Sequence, residues 1–318
     1  MLHTARLIKQ ACGDIPFIFR AGVWKPRTSP YTFQGVGEQA LEWLQEVKQT
    51  FGIPVATEVA TPEHVEKACK AQIDYLWIGA RTSANPIAVQ ALANAIHDAK
   101  GVLVKNPVNA DPALWIGNIE RLQKTGIPVI AVLRGCNHKP SWFMAHALRQ
   151  AKPDIPILID PSHISGDATK IPKLLSKAAE LELNGAMIEV HPNPKEALSD
   201  AKQQITPDTL RDLVQVSSEL EAGFNLCATP PRGTTLEWLR AEIDELDDTL
   251  WETIAARMDV SRRIGEWKKA HGVAPLQPER VKIISERLKS IGQDLNLSAE
   301  FMQQIWELIH EESLKQQE

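Results

Sequence analysis

Apolar residues between positions 16 and 190 fall in short runs, each followed by a polar loop and a stretch with helical spacing. The runs are PFIFR (16–20), PVATE (54–58), DYLWI (74–78), GVLVK (101–105), PVIAVL (128–133), IPILID (155–160) and AMIEV (186–190). Short runs rich in Val, Ile, Leu and Trp, bounded by turn residues, predict strands. Between them, apolar positions three and four apart predict helices near 37–50, 62–70, 85–98, 112–124, 141–151 and 169–183. Another helix near 3–12 precedes the first strand, and one near 207–220 follows the last. Repeated strand–helix units predict a parallel sheet covered by helices.

Eight helical segments accompany seven predicted strands. A closed barrel of this kind needs eight strands. An open doubly wound sheet is the other solution, but it normally carries a glycine-rich phosphate turn after its first strand. Here Gly35 and Gly37 follow a long loop instead. The pattern favours an α/β fold, a (β/α)8 TIM barrel whose first strand is missing ahead of the 3–12 helix.

The rhythm breaks at residues 221–235, EAGFNLCATPPRGTT, which read as a linker. Beyond it Leu236, Leu239, Ile243, Leu246, Leu250, Ile254 and Met258 form a helical stripe. A loop with Gly272 and Pro275 follows, then helices near 278–291 and 298–316. The expected organisation is a barrel over 1–220, a linker over 221–235 and an all-α three-helix domain over 236–318.

Composition narrows the functional classes. The chain has 318 residues, 43% of them hydrophobic and 24% charged, as expected of one or two globular domains. A net charge of −5 gives no reason to expect nucleic acid or an acidic membrane surface as a partner. No apolar run reaches the roughly 18 residues of a membrane helix, and the opening residues lack a secretory pattern. The scattered cysteines Cys12, Cys69, Cys136 and Cys227 suit free thiols in a cytoplasmic protein.

Barrel active sites lie at the C-terminal ends of the strands. There the sequence sets Arg20, Lys25, Arg81, Lys105 and Arg134. Any one of them could be an ordinary solvated cation. Together they suit a phosphorylated carboxylate gripped by Arg forks. Arg27, Thr28 and Ser29 offer a second phosphate site, and His163, Glu189 and Asp200 offer imidazole and carboxylate donors to a divalent metal. In the C-terminal part, Arg240, Arg257 and Lys268 are spaced to fall near one helix face. Anion binding and simple snorkelling at a bundle rim remain equal readings of these three.

The motifs KPRTS (25–29), GART (79–82), LVKNP (103–107), LRG (133–135), IDPSH (159–163) and IEVHPNPKEALSD (188–200) resemble type I 3-deoxy-D-arabino-heptulosonate 7-phosphate (DAHP) synthase of the β subgroup. The resemblance covers about residues 3–220. It implies condensation of phosphoenolpyruvate with erythrose 4-phosphate. By the same resemblance Arg20, Arg81, Lys105 and Arg134 contact phosphoenolpyruvate, with Lys25 at the same end of the pocket. Arg27 and Thr28 contact the aldose phosphate. His163, Glu189 and Asp200 hold a divalent metal, Mn, Fe, Zn or Co. Lys105 either protonates the new alkoxide or acts through a metal-bound water, and His163 belongs to the catalytic set. The family's fourth ligand is a cysteine in a Gly-Pro-Cys motif, which this sequence lacks. Weakened metal binding and impaired synthase activity are therefore expected. A related octulosonate 8-phosphate synthase shares the chemistry, but KPRTS favours the four-carbon aldose.

LRAEIDELD (239–247), IAARM (254–258), IGEWKK (264–269), QPER (277–280) and EESLKQ (311–316) with Gln317 resemble the all-helical, AroQ-type chorismate mutase. This implies rearrangement of chorismate to prephenate without a cofactor. Arg240, Arg257 and Arg280 would bind carboxylates, Lys268 and Gln317 the ether oxygen, and Ser313 would support binding. A homodimer through the helical domain is implied, with Arg240 serving the partner's site. Gln277 and Val281 depart from the family's acidic residues. The whole reads as a bifunctional transferase and isomerase of the shikimate pathway of aromatic amino acid biosynthesis. The alternative is an active mutase beside a non-catalytic binding or regulatory barrel.

Overall fold

The computed structural model describes residues 1–27, 29–219, 235–274 and 276–317. Thr28 and nearly all of the expected linker therefore lie outside the described residues. The chain divides into two compact units, Met1–Glu242 and Ile243–Glu318.

The first unit begins with α1 (Leu2–Cys12), β1 (Phe19–Ala21), α2 (Gln39–Phe51), β2 (Val55–Glu58), α3 (Pro62–Lys70) and β3 (Tyr75–Ile78). Then come α4 (Ala80–Ser83), α5 (Pro86–Ala95), β4 (Gly101–Lys105), α6 (Pro112–Gln123), β5 (Val129–Leu133) and α7 (Trp142–Ala151). It continues with β6 (Ile157–Ile159), α8 (Pro161–Ser165), α9 (Ile171–Glu180), β7 (Gly185–Ala186) and α10 (Pro207–Glu219). The seven strands are all parallel and ordered β1 to β7 without a crossover. This is the (β/α)8 barrel less one strand. The helical layer nonetheless continues past the gap, because α1 packs against both α10 and α2.

The entry to several helices is written in the sequence. Thr61, Asn85, Asp111 and Asp160 each cap a helix whose next residue is proline. The cap side chain satisfies a free N–H, and proline at the first helical position has no N–H to lose. Asp160 does this for α8 by accepting from His163 N, 3.2 Å away.

Two apolar layers follow from strand alternation. Outward residues such as Val55, Leu76, Val104, Ala131, Leu133 and Ile157 meet the helices in the main core. Inward residues Ala56, Trp77, Leu103, Val132, Leu158 and Met187 form a second cluster inside the curled sheet.

The edge strands are displaced from expectation. β1 covers 19–21 rather than 16–20, pairing first where Phe19 N meets Pro54 O at 2.9 Å. β7 is paired only at Gly185–Ala186, and the stretch carrying Glu189 rejoins through a bridge between Val190 and Ile205. Cys12, Cys69 and Cys136 are buried thiols, and Cys227 lies outside the described residues. Among the described residues no helix is long and apolar enough to cross a membrane.

The second unit is helical: the continuation of α11 (Leu236–His271), then α12 (Pro278–Asp294) and α13 (Ala299–Lys315). α12 packs on α13. Ile243, Leu246, Leu250 and Trp251 on α11 are each at least half exposed.

At the opposite end of the barrel from the strand-end cations, Asp74 ties three strands together. Its buried carboxylate accepts from Val55 N at 3.1 Å and pairs with Lys48 at 3.1 Å and Lys100 at 2.8 Å. Burial alone would raise its pKa, but Lys100, the Val55 N–H and Lys48 together hold it below the usual value. A depressed folded-state pKa stabilises above the unfolded value of about 3.9 and ceases to do so as pH falls through the folded value. Asp74→Asn is therefore expected to lower unfolding stability by about 1–3 kcal/mol at neutral pH. The difference from wild type should narrow below about pH 4, read from urea midpoints across pH.

Candidate active site

The inward positions two residues beyond the apolar layer are chemical. Ile18 is followed by Arg20, Ala56 by Glu58, Leu103 by Lys105, Val132 by Arg134, Leu158 by Asp160 and Met187 by Glu189. Period-2 alternation puts all six on the inner side of the sheet at its C-terminal rim. In β3 the corresponding position is Gly79. A Cβ there would lie 2.1 Å from Glu58 Oε1, so glycine makes room for that carboxyl. Arg20, Glu58, Lys105, Arg134, His163, Glu189 and Asp200 line one cavity.

At its floor Asp160 has no exposed surface and accepts from Lys105 Nζ at 2.7 Å. His163 Nδ1 lies 3.0 Å from Asp160 Oδ1. Burial opposes ionisation, but His163 and Lys105 outweigh it and hold the Asp160 carboxyl well below its usual range. Glu189 is likewise lowered against burial by His163 and Arg20 and by the hydrogen bond from Gln203. Arg20 donates to Glu189 at 3.2 Å and lies 4.9 Å above the Trp77 ring, a cation–π contact. Glu58 is shifted the other way: burial raises its pKa despite Lys105, Arg20 and His163.

At the rim Arg27 forks onto Asp200 through two bonds of 2.7 and 3.3 Å, and Lys25 lies 3.5 Å from the same carboxylate. Against burial, Arg27 and Lys25 lower the Asp200 pKa far below normal. Arg81 donates to Pro26 O at 3.3 Å and so ties the 24–35 loop to the strand ends. The Arg134 backbone N–H donates to Asn106 Oδ1 at 2.7 Å. The Nε atoms of Arg20 and Arg27 are buried donors without a partner. Two orphaned guanidinium donors in a cationic cavity suit an anionic ligand.

Of the expected metal donors, the structure brings two together. His163 Nε2 and Glu189 Oε1 stand 3.9 Å apart, with Asp160 behind the imidazole in the position of an outer-shell carboxylate. Asp200 lines the same cavity, but its two oxygens are engaged by Arg27 and Lys25. Among the described residues no three His, Cys, Asp or Glu side chains gather as a metal-binding group. His163, Glu189 and Asp200 thus line one cavity, with Asp200 bonded to Arg27.

The helical unit forms a second group. Arg257 donates to Ser313 Oγ, Lys268 Nζ donates to Gln317 Oε1 at 3.0 Å, and Ser313 is buried. At Gly265 a Cβ would stand 2.6 Å from Gln317 Cα, so the glycine lets the end of the chain approach α11. Arg240 and Arg280 are exposed. Glu58, Trp77 and Asp160 had no role in the sequence reading; the signal that finds them is the same two-residue step from the apolar layer.

Comparison with known proteins adds the following. Residues 1–224 match the DAHP synthetase I family and residues 239–318 match chorismate mutase type II. A phospho-2-dehydro-3-deoxyheptonate aldolase of Thermotoga maritima is 32% identical over 210 residues, 64% of this chain and 61% of that protein. A 2-dehydro-3-deoxyphosphooctonate aldolase of Parasynechococcus marenigrum is 27% identical over 239 residues, 68% of this chain and 83% of that one. The crystal structure of the DAHP synthase from Thermotoga maritima superposes with a TM-score of 0.61 and 29% identity, covering 69% of this chain and 64% of that chain. The chain thus spans less than two thirds of the first of these relatives.

The two carboxylates differ in what their loss would do. Asp160→Ala leaves Lys105 buried without its counter-ion and is expected to cost about 3–5 kcal/mol of stability. Asp200→Ala, at the partly exposed rim, should cost less. Equal denaturation midpoints for the two variants would contradict this ranking.

Proposed function

We propose, from the premise that the chain belongs to the DAHP synthetase I family and carries a chorismate mutase type II domain, that it joins two reactions of aromatic biosynthesis. The proposed domains are a synthase-like barrel over 1–220 and a mutase-like bundle over 236–318, working in the cytoplasm. The observation that carries the barrel reading is the ring of strand-end cations around one cavity.

In the barrel, phosphoenolpyruvate is bound by Arg20, Arg81, Lys105 and Arg134, which match its carboxylate and phosphate in charge and hydrogen-bonding geometry. Lys25 stands at the same end of that pocket, and Arg27 and Thr28 hold the phosphate of erythrose 4-phosphate. The C3 carbon of phosphoenolpyruvate forms a bond to the aldehyde carbon, and the aldehyde oxygen takes a proton. Water adds at C2 and inorganic phosphate leaves. Lys105 supplies the proton in this reading, supported by its bond to Asp160, which orients the ammonium. A divalent cation held by His163 and Glu189 would supply Lewis-acid polarisation. Asp200 fits that role less well, since Arg27 engages it.

In the bundle, chorismate rearranges to prephenate without a covalent intermediate. The site works by holding the reactive conformer and stabilising charge on the breaking ether bond. Lys268 and the NH2 of Gln317 are the donors to that oxygen. Arg257, positioned by Ser313, and Arg280 take the carboxylates. A second copy of the chain would supply Arg240 and cover the exposed apolar stripe of α11, as supported by Ile243, Leu246 and Leu250.

Both reactions are assayed on one sample, phosphoenolpyruvate loss with erythrose 4-phosphate and chorismate loss. Lys268→Ala is expected to raise the mutase barrier by about 2.7–4 kcal/mol, the effect of losing one oxyanion donor, and to leave the synthase rate unchanged. Lys105→Met should abolish the synthase and spare the mutase. An unaltered chorismate rate in Lys268→Ala would remove that lysine from the mechanism.

A further inference from the structure

β4 and β5 pair in register as far as Lys105 and Val132, and Asn106 N closes the last rung by donating to Val132 O at 3.0 Å. Parallel pairing would next take the Arg134 N–H to the main-chain oxygen of residue 106. The Asn106 side chain supplies the acceptor instead, and its Oδ1 receives the Arg134 N–H at 2.7 Å. Its Nδ2 donates to Pro107 O at 2.9 Å and to Gly135 O at 3.3 Å. Asn106 has no exposed surface. One buried amide thus spans the ends of two strands and holds the main chain on both sides of the Arg134 side chain.

The chain beyond is equally constrained. Cys136 and Lys139 exchange main-chain bonds of 3.0 and 2.9 Å across Asn137 and His138, whose φ angles are 50° and 60°. Two left-handed central residues are the mark of a tight hairpin turn. At Gly135, with φ of 67°, a Cβ would stand 1.9 Å from Lys139 O, so the turn needs glycine. Neighbouring strand ends are stapled in the same way. Ser83 Oγ donates to Lys105 O at 2.8 Å, Ser162 Oγ accepts from Glu189 N at 3.1 Å, and both serines are fully buried. Arg20, Arg27, Arg81 and Lys105 are each tied by a bond from the side chain itself. Among the described residues, Arg134 is held through its main chain, and its side chain lines the cavity.

We propose that Asn106 is a positioning residue for anion binding: its buried amide fixes the main chain of Arg134 and Gly135 and so aims the Arg134 guanidinium into the cavity. This deepens, and rests on, the reading of Arg134 as a ligand of phosphoenolpyruvate. A guanidinium grips an oxyanion through a planar fork, which tolerates little misdirection. A shift at the start of so long a side chain is carried to its tip. A fixed backbone also reduces what must be ordered when the anion arrives.

The test is calorimetric titration of phosphoenolpyruvate into the full chain, without the aldose so that no condensation follows. Asn106→Ala is expected to weaken binding by roughly 10–100-fold, the usual effect of removing the partner that orients a ligand-holding side chain. Arg134→Met should weaken it at least as much. Adding Asn106→Ala to Arg134→Met should then change the affinity by less than about twofold, because changes that act through one side chain do not add. Asp74→Asn, at the other end of the barrel, is the destabilised control and should bind as the wild type does. Near-ultraviolet circular dichroism of the buried Trp77, Trp115 and Trp142 reports whether each barrel is packed. Asn106→Ser is the milder variant and carries the same expectation where the alanine variant does not fold. Wild-type affinity in a folded Asn106 variant, or a full further loss on top of Arg134→Met, would overturn the positioning role alone. Absence of binding by the wild type, or wild-type affinity in Arg134→Met, would remove the reading of the site and the role of Asn106 with it.

Discussion

Asp160 is completely buried yet paired with Lys105, which with His163 holds its carboxyl well below the usual range, and the barrel's candidate site is arranged around it. A bare carboxylate in such a place would cost several kcal/mol. It is tolerated because Lys105, His163 and the free N–H at the start of α8 all point at it. One residue therefore caps a helix, fixes Lys105 and orients the imidazole of His163. Any ligand entering the cavity meets groups whose directions were set by this buried charge.

The same logic extends outward by layers. Inside the curled sheet an apolar layer around Trp77, Leu103 and Val132 keeps water away from below. The charged layer sits on it, and the loops after β1 and β7 supply the rim with Lys25, Arg27 and Asp200. Bonds are most fully satisfied at the floor, while Arg20 and Arg27 retain unpaired Nε donors. Preorganised donors of this kind bind anions without first having to break protein contacts.

The helical unit solves a different problem with less burial. Its group of Arg257, Ser313, Lys268 and Gln317 joins α11 to the last residues described. Much of the apolar stripe of α11 faces solvent in the single chain.

Much of this was legible in the sequence, and for identifiable reasons. Strand–helix alternation, the cap–proline entries and the even-step spacing from Ala56 to Glu58 or Leu158 to Asp160 are local, and chain geometry carries them directly into the fold. The seven strands and the cations at their ends could be read before any coordinates. Two things could not. The extent of β1 and β7 depends on pairing with a neighbour, so edge strands shift where the ladder stops. The pairing of Asp200 with Arg27 joins residues 173 positions apart. The sequence by itself determined which donors and acceptors reach the rim. Only the tertiary structure decided which of them bond to each other, because a carboxylate among several cations takes the partner whose geometry and distance suit it best.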